Sequence, residues 1–182
     1  MKLEEMGIFI KTIHSDVNAC IERINADEDM EFWARMYIRS LASLVEGTSY
    51  MYRDIIRGLW QGGEIKLTTE QQLFFLNLDW RVVNSGQIET TEKKLPSKES
   101  LKCLLTQIGV ILPSYKPDFV SKGWAQLLEF YQTRDALIHP KTLIALHIKK
   151  DKLKELDVGR AWFANECRNI NDALIKDGSK IG

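Results

Sequence analysis

Apolar side chains recur along this chain at steps of three and four over long stretches, the spacing that lines one face of an α-helix. From residue 2 to about residue 25 the repeat runs through Leu3, Met6, Ile10, Ile13, Val17, Cys20, Ile21 and Ile24, which predicts a first helix. Residues 27 to 29 break it. A longer second helix is expected from residue 30 to about 59, its apolar stripe formed by Tyr37, Leu41, Leu44, Val45, Thr48, Tyr52, Ile55 and Leu59. Gln61-Gly62-Gly63 then supplies the glycine that commonly follows a helix end. Thr68-Thr69-Glu70-Gln71-Gln72 reads as a capping box opening a shorter helix to about residue 83. Asn84-Ser85-Gly86 is a turn signal, and the polar stretch 87–96 reads as loop. Ser97 is placed to cap a helix to about residue 111, and Pro113 and Pro117 bracket a connector. Residues 121 to 139 predict a fifth helix, stopped by Pro140. A brief strand-like run, Thr142-Leu143-Ile144-Ala145-Leu146, precedes a last helix from about 157 to 176.

Six helical segments and little strand predict an all-α fold. The long helices are expected to pack as an antiparallel four-helix-bundle core, with residues 68–115 inserted as extra short helices, all within one domain spanning 1–182. Hydrophobic residues at 45% and charged residues at 27% are an ordinary globular balance. Lys+Arg and Asp+Glu are 25 each, so the formal net charge is zero. The chain therefore lacks the overall basic excess that usually accompanies nucleic-acid binding, and any such contact must come from where the charges sit. Cys20, Cys103 and Cys167 are scattered and form no Cys-x-x-Cys pair, which fits free thiols in a reducing compartment. With three scattered histidines and no Gly-rich phosphate loop or His-Glu-x-x-His motif, no metal site and no cofactor is expected. The acid-bearing N-terminus does not read as a signal peptide, and no run approaches the ~20 apolar residues of a membrane span. A cytoplasmic protein with no membrane association is expected.

The segment that carries chemistry is Arg134-Asp135-Ala136-Leu137-Ile138-His139, at the end of the fifth predicted helix. Five residues of helix separate the Cα atoms of Arg134 and His139 by roughly 7 to 8 Å along the axis, a gap a long arginine largely spans. Asp135 is the i,i+4 neighbour of His139, positioned to orient its imidazole. Pro140 disfavours α geometry at His139, so the histidine sits where the helix is released. Histidine moves protons near neutral pH, and arginine binds phosphate oxygens through a planar fork. Both suit phosphodiester chemistry. The same three residue types near a helix C-terminus also occur in structural roles, where histidine interacts favourably with the helix dipole.

This segment resembles the Arg-x4-His motif of the HEPN superfamily, in which a polar residue follows the arginine, here Asp135. The continuation through Pro140 and Lys141 is similar to one branch of that superfamily. So is Arg39-Ser40-Leu41-Ala42-Ser43-Leu44-Val45-Glu46-Gly47, which resembles the first long helix of that branch. The resemblance implies a helical bundle that forms a homodimer, with two Arg-x4-His motifs facing one cleft. It implies metal-independent endoribonuclease activity on RNA in a toxin, defence or RNA-processing role. An antitoxin or other regulatory protein is then a possible partner. Some members of the superfamily are inactive and serve as nucleotide-binding or scaffold modules. Catalytic roles are thereby expected for Arg134, Asp135 and His139.

On the second helix Arg35, Arg39, Glu46, Arg53 and Arg57 fall in a narrow band, with Ala42, Ser43, Gly47 and Ser49 beside Glu46. Small neighbours let another backbone approach. One expectation is that Arg35, Arg39 and Arg53, with Lys141, follow RNA phosphates while Glu46 anchors Arg39 or Arg134. The other is an ordinary solvated face. His14 lacks a partner motif and is read as a surface or packing residue. His147 lies near Lys149, Lys150, Lys152 and Lys154, a run that could touch RNA but that Asp151, Glu155 and Asp157 dilute, so it is read as part of a solvated segment. The rivals to a ribonuclease are a non-catalytic HEPN-type module that binds a partner protein or nucleotide, and a helical bundle that binds a small ligand.

Overall fold

Helices account for most of this computed structural model, which describes residues 3–93 and 95–178. In chain order the elements are α1 (Leu3–Asn25), α2 (Met30–Gln61), α3 (Thr69–Phe75), β1 (Leu78–Val82), β2 (Ile88–Glu92), α4 (Ser97–Ile111), α5 (Lys122–Ile138) and α6 (Lys150–Gly178). A single 3₁₀ turn, Leu143–Leu146, lies between α5 and α6. Lys2, the expected start of the first helix, and the side chains of Leu3 and Met6 from its apolar stripe lie outside the described residues. No helix among the described residues is long and apolar enough to cross a membrane.

The chain divides into two compact units. The first takes the residues up to Thr48 together with Asp118–Asn169, and so contains α1, the first part of α2, α5 and most of α6. Its core includes Val17, Ala34, Ile38, Leu41, Val45, Leu127, Phe130, Leu137 and Leu156, all almost fully buried. Burying each large aliphatic or aromatic side chain contributes about 1.5 to 3 kcal/mol before the entropy cost. Phe9 and Ile13 of α1 pack on Gly47 of α2, and Cys20 Sγ lies 4.0 Å from Ser40 Oγ, so these segments run antiparallel. Helices α5 and α6 are also antiparallel and pass unusually close. A Cβ on Gly123 would collide with the Trp162 side chain, and one on Gly159 would sit 2.8 Å from the backbone nitrogen of Leu127. Tyr37 donates to Asp157 Oδ1 at 3.1 Å, and Trp162 Nε1 donates to the Asp118 carbonyl at 3.0 Å.

The second unit takes Ser49–Pro117 and the residues from Ile170 onward. Its core includes Phe75, Leu101, Leu104, Leu105, Ile108, Leu112 and Tyr115. The Ser114 amide and hydroxyl both donate to the buried Asp177 carboxylate, at 2.9 and 2.7 Å, and Tyr52 donates to Asn171 Oδ1 at 3.0 Å.

The structure departs from the expected elements in four places. The Thr68 capping box is present, with both reciprocal hydrogen bonds to Gln71. The helix it opens ends at Phe75 rather than near residue 83, because Asn77 adopts a left-handed conformation at φ 54° that a helix cannot continue through. Residues 78–92, expected as helix end and loop, instead form an antiparallel hairpin pairing Leu78 with Glu92 through Val82 with Ile88. Gly86, at φ 79°, supplies the turn. The inserted region is therefore not made of short helices alone. The strand-like run at 142–146 is the 3₁₀ turn. Helix α6 begins seven residues before the expected start near 157, at Lys150. Its first turns carry only Leu153 and Leu156 as apolar anchors among charged residues.

Candidate functional site

Two segments meet at the C-terminal end of α5. Trp124, Leu127, Phe130, Tyr131 and Leu137 are buried, which pins that face of the helix, turns Asp135 and His139 outward and leaves Arg134 partly covered. Helix α5 ends at Ile138. His139 is its C-cap, at φ −122° and ψ 63°, and the His139 amide donates to the Asp135 carbonyl at 3.0 Å. The residue before a proline is pushed out of helical geometry, and that push places the exposed imidazole beyond the last turn.

Arg134 is the organising group. Its side chain is only 17% exposed, against 47% for Glu46 and 62% for Asp135. Arg134 Nη1 donates to Glu46 Oε1 at 2.5 Å, linking α5 to α2. Nε and Nη2 donate to Asp135 Oδ1 at 3.0 and 2.7 Å. The guanidinium carbon lies 5.3 Å from the centre of the Tyr131 ring, one turn earlier on the same helix, which is cation–π range. Three of the five guanidinium N–H groups are engaged in this way, leaving two for an incoming oxyanion. Partial burial disfavours the charge on Arg134. The hydrogen bond to Asp135 and the charge of Glu46 outweigh that, holding its pKa above the ordinary arginine value. Burial, reinforced by the charge of Glu46, pushes the Tyr131 phenol upward too.

The sequence-derived residues do not all gather here. Arg134, Asp135 and Glu46 are joined by the contacts above. The Asp135 carboxylate turns to Arg134, and among the described residues no hydrogen bond joins it to the His139 ring. Arg39 is exposed on α2, and its carbonyl accepts from Ser43 Oγ at 3.2 Å. Arg35 is half-buried and reaches the Leu146 carbonyl at 3.4 Å. Lys141 is exposed just past the helix end.

Arg53 belongs to the second unit and is 8% exposed. There it donates to the Phe74 carbonyl at 2.9 Å, to Asn77 Oδ1 at 3.0 Å and to Ser100 Oγ at 2.9 Å. Its guanidinium carbon stands 4.1 Å from the centre of the Phe74 ring. The helical wheel placed Arg53 with the charged band because a wheel knows nothing of α3 and α4 packing over it. Arg57 pairs with Asp54 one turn back. Tyr131, whose ring lies beside the Arg134 guanidinium, is a part of the site that the sequence reading did not single out. Its i,i+3 spacing to Arg134 was the available signal.

Elsewhere in the first unit the residues lining a cavity of about 290 Å³ include Ile21, Ile24, Tyr37, Leu153, Lys154 and Arg160. Arg160 and Tyr37 both hold Asp157 there. No protein-family model, no curated protein and no solved structure matches this chain.

Proposed function

We propose that this chain is a metal-independent endoribonuclease of the HEPN type, acting as a homodimer built on an antiparallel four-helix core. The observation that carries the reading is the contact between the two resembling segments, Arg134 to Glu46 at 2.5 Å, with an exposed His139 at the released helix end. In this mechanism His139 takes the proton from a ribose 2′-hydroxyl. The 2′-oxygen forms a bond to the adjacent phosphorus, and the bond from phosphorus to the 5′-oxygen breaks. The partner's His139 gives the departing 5′-oxygen a proton. Arg134 binds a non-bridging phosphate oxygen through its remaining N–H groups, so charge that develops in the transition state meets a fork already oriented by Glu46 and Asp135. The nucleophile belongs to the substrate, so the products are a 2′,3′-cyclic phosphate and a 5′-hydroxyl. A toxin, defence or RNA-processing role, in the cytoplasm and under control of a regulatory partner, fits such an activity.

One observation favours a second reading. Arg134 is already neutralised by two carboxylates, which suits a scaffold module whose motif no longer meets phosphate. A single assay separates the two: purified protein with labelled single-stranded RNA, a matched 2′-deoxy strand and excess chelator. The ribonuclease cuts only the ribose strand, ignores chelator and is at least about 10²-fold slower as His139→Ala. Cleavage of the deoxy strand or dependence on added metal refutes the mechanism, and inertness toward all RNA favours the scaffold.

A further inference from the structure

The hairpin of the second unit has features that the ribonuclease reading does not use. Trp80, Val82 and Ile88 are 57%, 61% and 71% exposed, and strand alternation with the observed pairing puts all three on one face. The sheet has two strands only, so β1 has one unpaired edge. A lone two-stranded hairpin is marginal in water, and an open edge is a template for another strand.

The hydrogen-bond pattern shows which groups that edge offers. Val83 N–H donates to Gln87 C=O, and Lys93 N–H to Asn77 C=O. Antiparallel ladders alternate bonded and non-bonded pairs, so Asp79 and Arg81 bond inward to β2. Leu78, Trp80 and Val82 direct their N–H and C=O groups outward. The Trp80 amide occupies itself with its own Asp79 Oδ1 at 3.0 Å, a local substitute for a missing strand.

From this edge we infer that β1 pairs with β1 of a second copy of this chain, antiparallel and centred on Trp80. The sequence Leu78-Asp79-Trp80-Arg81-Val82 reads the same in chemical class from either end, with acid exchanged for base. Laid against itself about Trp80, it sets Asp79 opposite Arg81 of the second copy, Arg81 opposite Asp79, and Leu78 opposite Val82. The outward groups of Leu78, Trp80 and Val82 are the ones this register needs for its hydrogen bonds, so backbone parity and side-chain charge select the same alignment. Across the polar face, Glu89, Arg81 and the second copy's Asp79 alternate in sign, extending the Arg81–Glu89 ion pair already present at 3.4 Å. Across the other face the two Trp80 rings become neighbours, flanked by Val82 and Ile88. Strand β2 lacks this symmetry, because folding Ile88–Glu92 on itself sets Ile88 against Glu92. The edge is five residues long, so the association belongs to the weak, concentration-dependent class.

The test uses the full chain and two single variants. Asp79→Arg leaves two arginines on the edge and Arg81→Asp leaves two aspartates, so each alone faces like charges in the self-pair. Mixed, they complement each other completely, while the strain each substitution causes within its own hairpin is unchanged. Sedimentation of each variant alone and of the equimolar mixture is the first measurement. Amide exchange at Leu78, Trp80 and Val82 in the wild type, across roughly 10 µM to 1 mM protein, is the second. The expected results are a mixture that associates at least about tenfold more tightly than either variant alone, and protection of those three alternate amides that rises with concentration. A mixture no tighter than its components, or protection at the three amides independent of concentration, overturns the proposal.

Discussion

Removing the charge of Glu46 is the most informative perturbation of the motif. In Glu46→Gln the amide oxygen can still accept from Arg134 Nη1, so what is lost is charge rather than the hydrogen bond itself. Two unit charges about 4 Å apart interact by roughly 4 kcal/mol at an effective dielectric of 20. The Glu46 side chain is 47% exposed and the guanidinium retains Asp135, so solvent screening brings the net loss toward about 1 kcal/mol. For a chain of this size that corresponds to a melting shift of about 2 to 4 °C.

Urea denaturation of wild type, Glu46→Gln, Arg134→Gln and the double variant closes a thermodynamic cycle. The expected coupling is about 1 kcal/mol, weakened in 1 M salt. Under the proposed ribonuclease function, RNA cleavage by Glu46→Gln is expected to fall about tenfold, more than stability alone accounts for. With the α2 anchor reduced to a neutral hydrogen bond the fork is held less firmly, and misplacing a group that contacts the reacting phosphate by about 1 Å costs up to 10²-fold. A coupling below about 0.3 kcal/mol, within the error of independent sites, would refute the claim that Glu46 positions Arg134 across the helices.

The remaining predictions concern other parts of the chain. Arg53→Met removes three hydrogen bonds from a buried site and leaves the Phe74 carbonyl, Asn77 and Ser100 short of a donor. A loss of about 2 to 4 kcal/mol in chemical denaturation is expected, and no loss would show the network to be unimportant. Gly159→Ala sets a methyl 2.8 Å from the Leu127 backbone nitrogen, so α5 and α6 must part. A cost of about 2 kcal/mol or more is expected by the same measurement, whereas a neutral or stabilised protein would contradict the close crossing. Cys20 is buried and its thiol pKa is raised above 9.0 by that burial. The unfolded chain then releases this proton first, so its contribution to stability is full below pH 9.0 and is lost as pH climbs through the folded value. Cys20→Ala should flatten the stability–pH curve above that point, and an unchanged slope would exclude Cys20 as a cause.

Helix existence was legible in the sequence because an amphipathic stripe records which face meets the core, and α1, α2, α4 and α5 lie within a residue or two of the expected bounds. Thr68 was legible because a capping box is local, depending on groups three residues apart. Asp135 and His139 were legible as candidates, as was Glu46 as an anchor, since their types and spacings are properties of single helices. The hairpin was not, because the preference of residues 78–92 for a strand depends on a partner strand and on one left-handed residue, Asn77, that stops α3. Nor was the fate of Arg53: on a wheel it shares a band with Arg39 and Glu46, while packing of Phe74, Asn77 and Ser100 buries it. The choice of Arg134 over Arg39 for Glu46, and of Arg134 over His139 for Asp135, likewise rests on tertiary structure. A carboxylate turns to whichever cation the packing of neighbouring helices brings within about 3 Å, and periodicity along one helix carries no information about that distance.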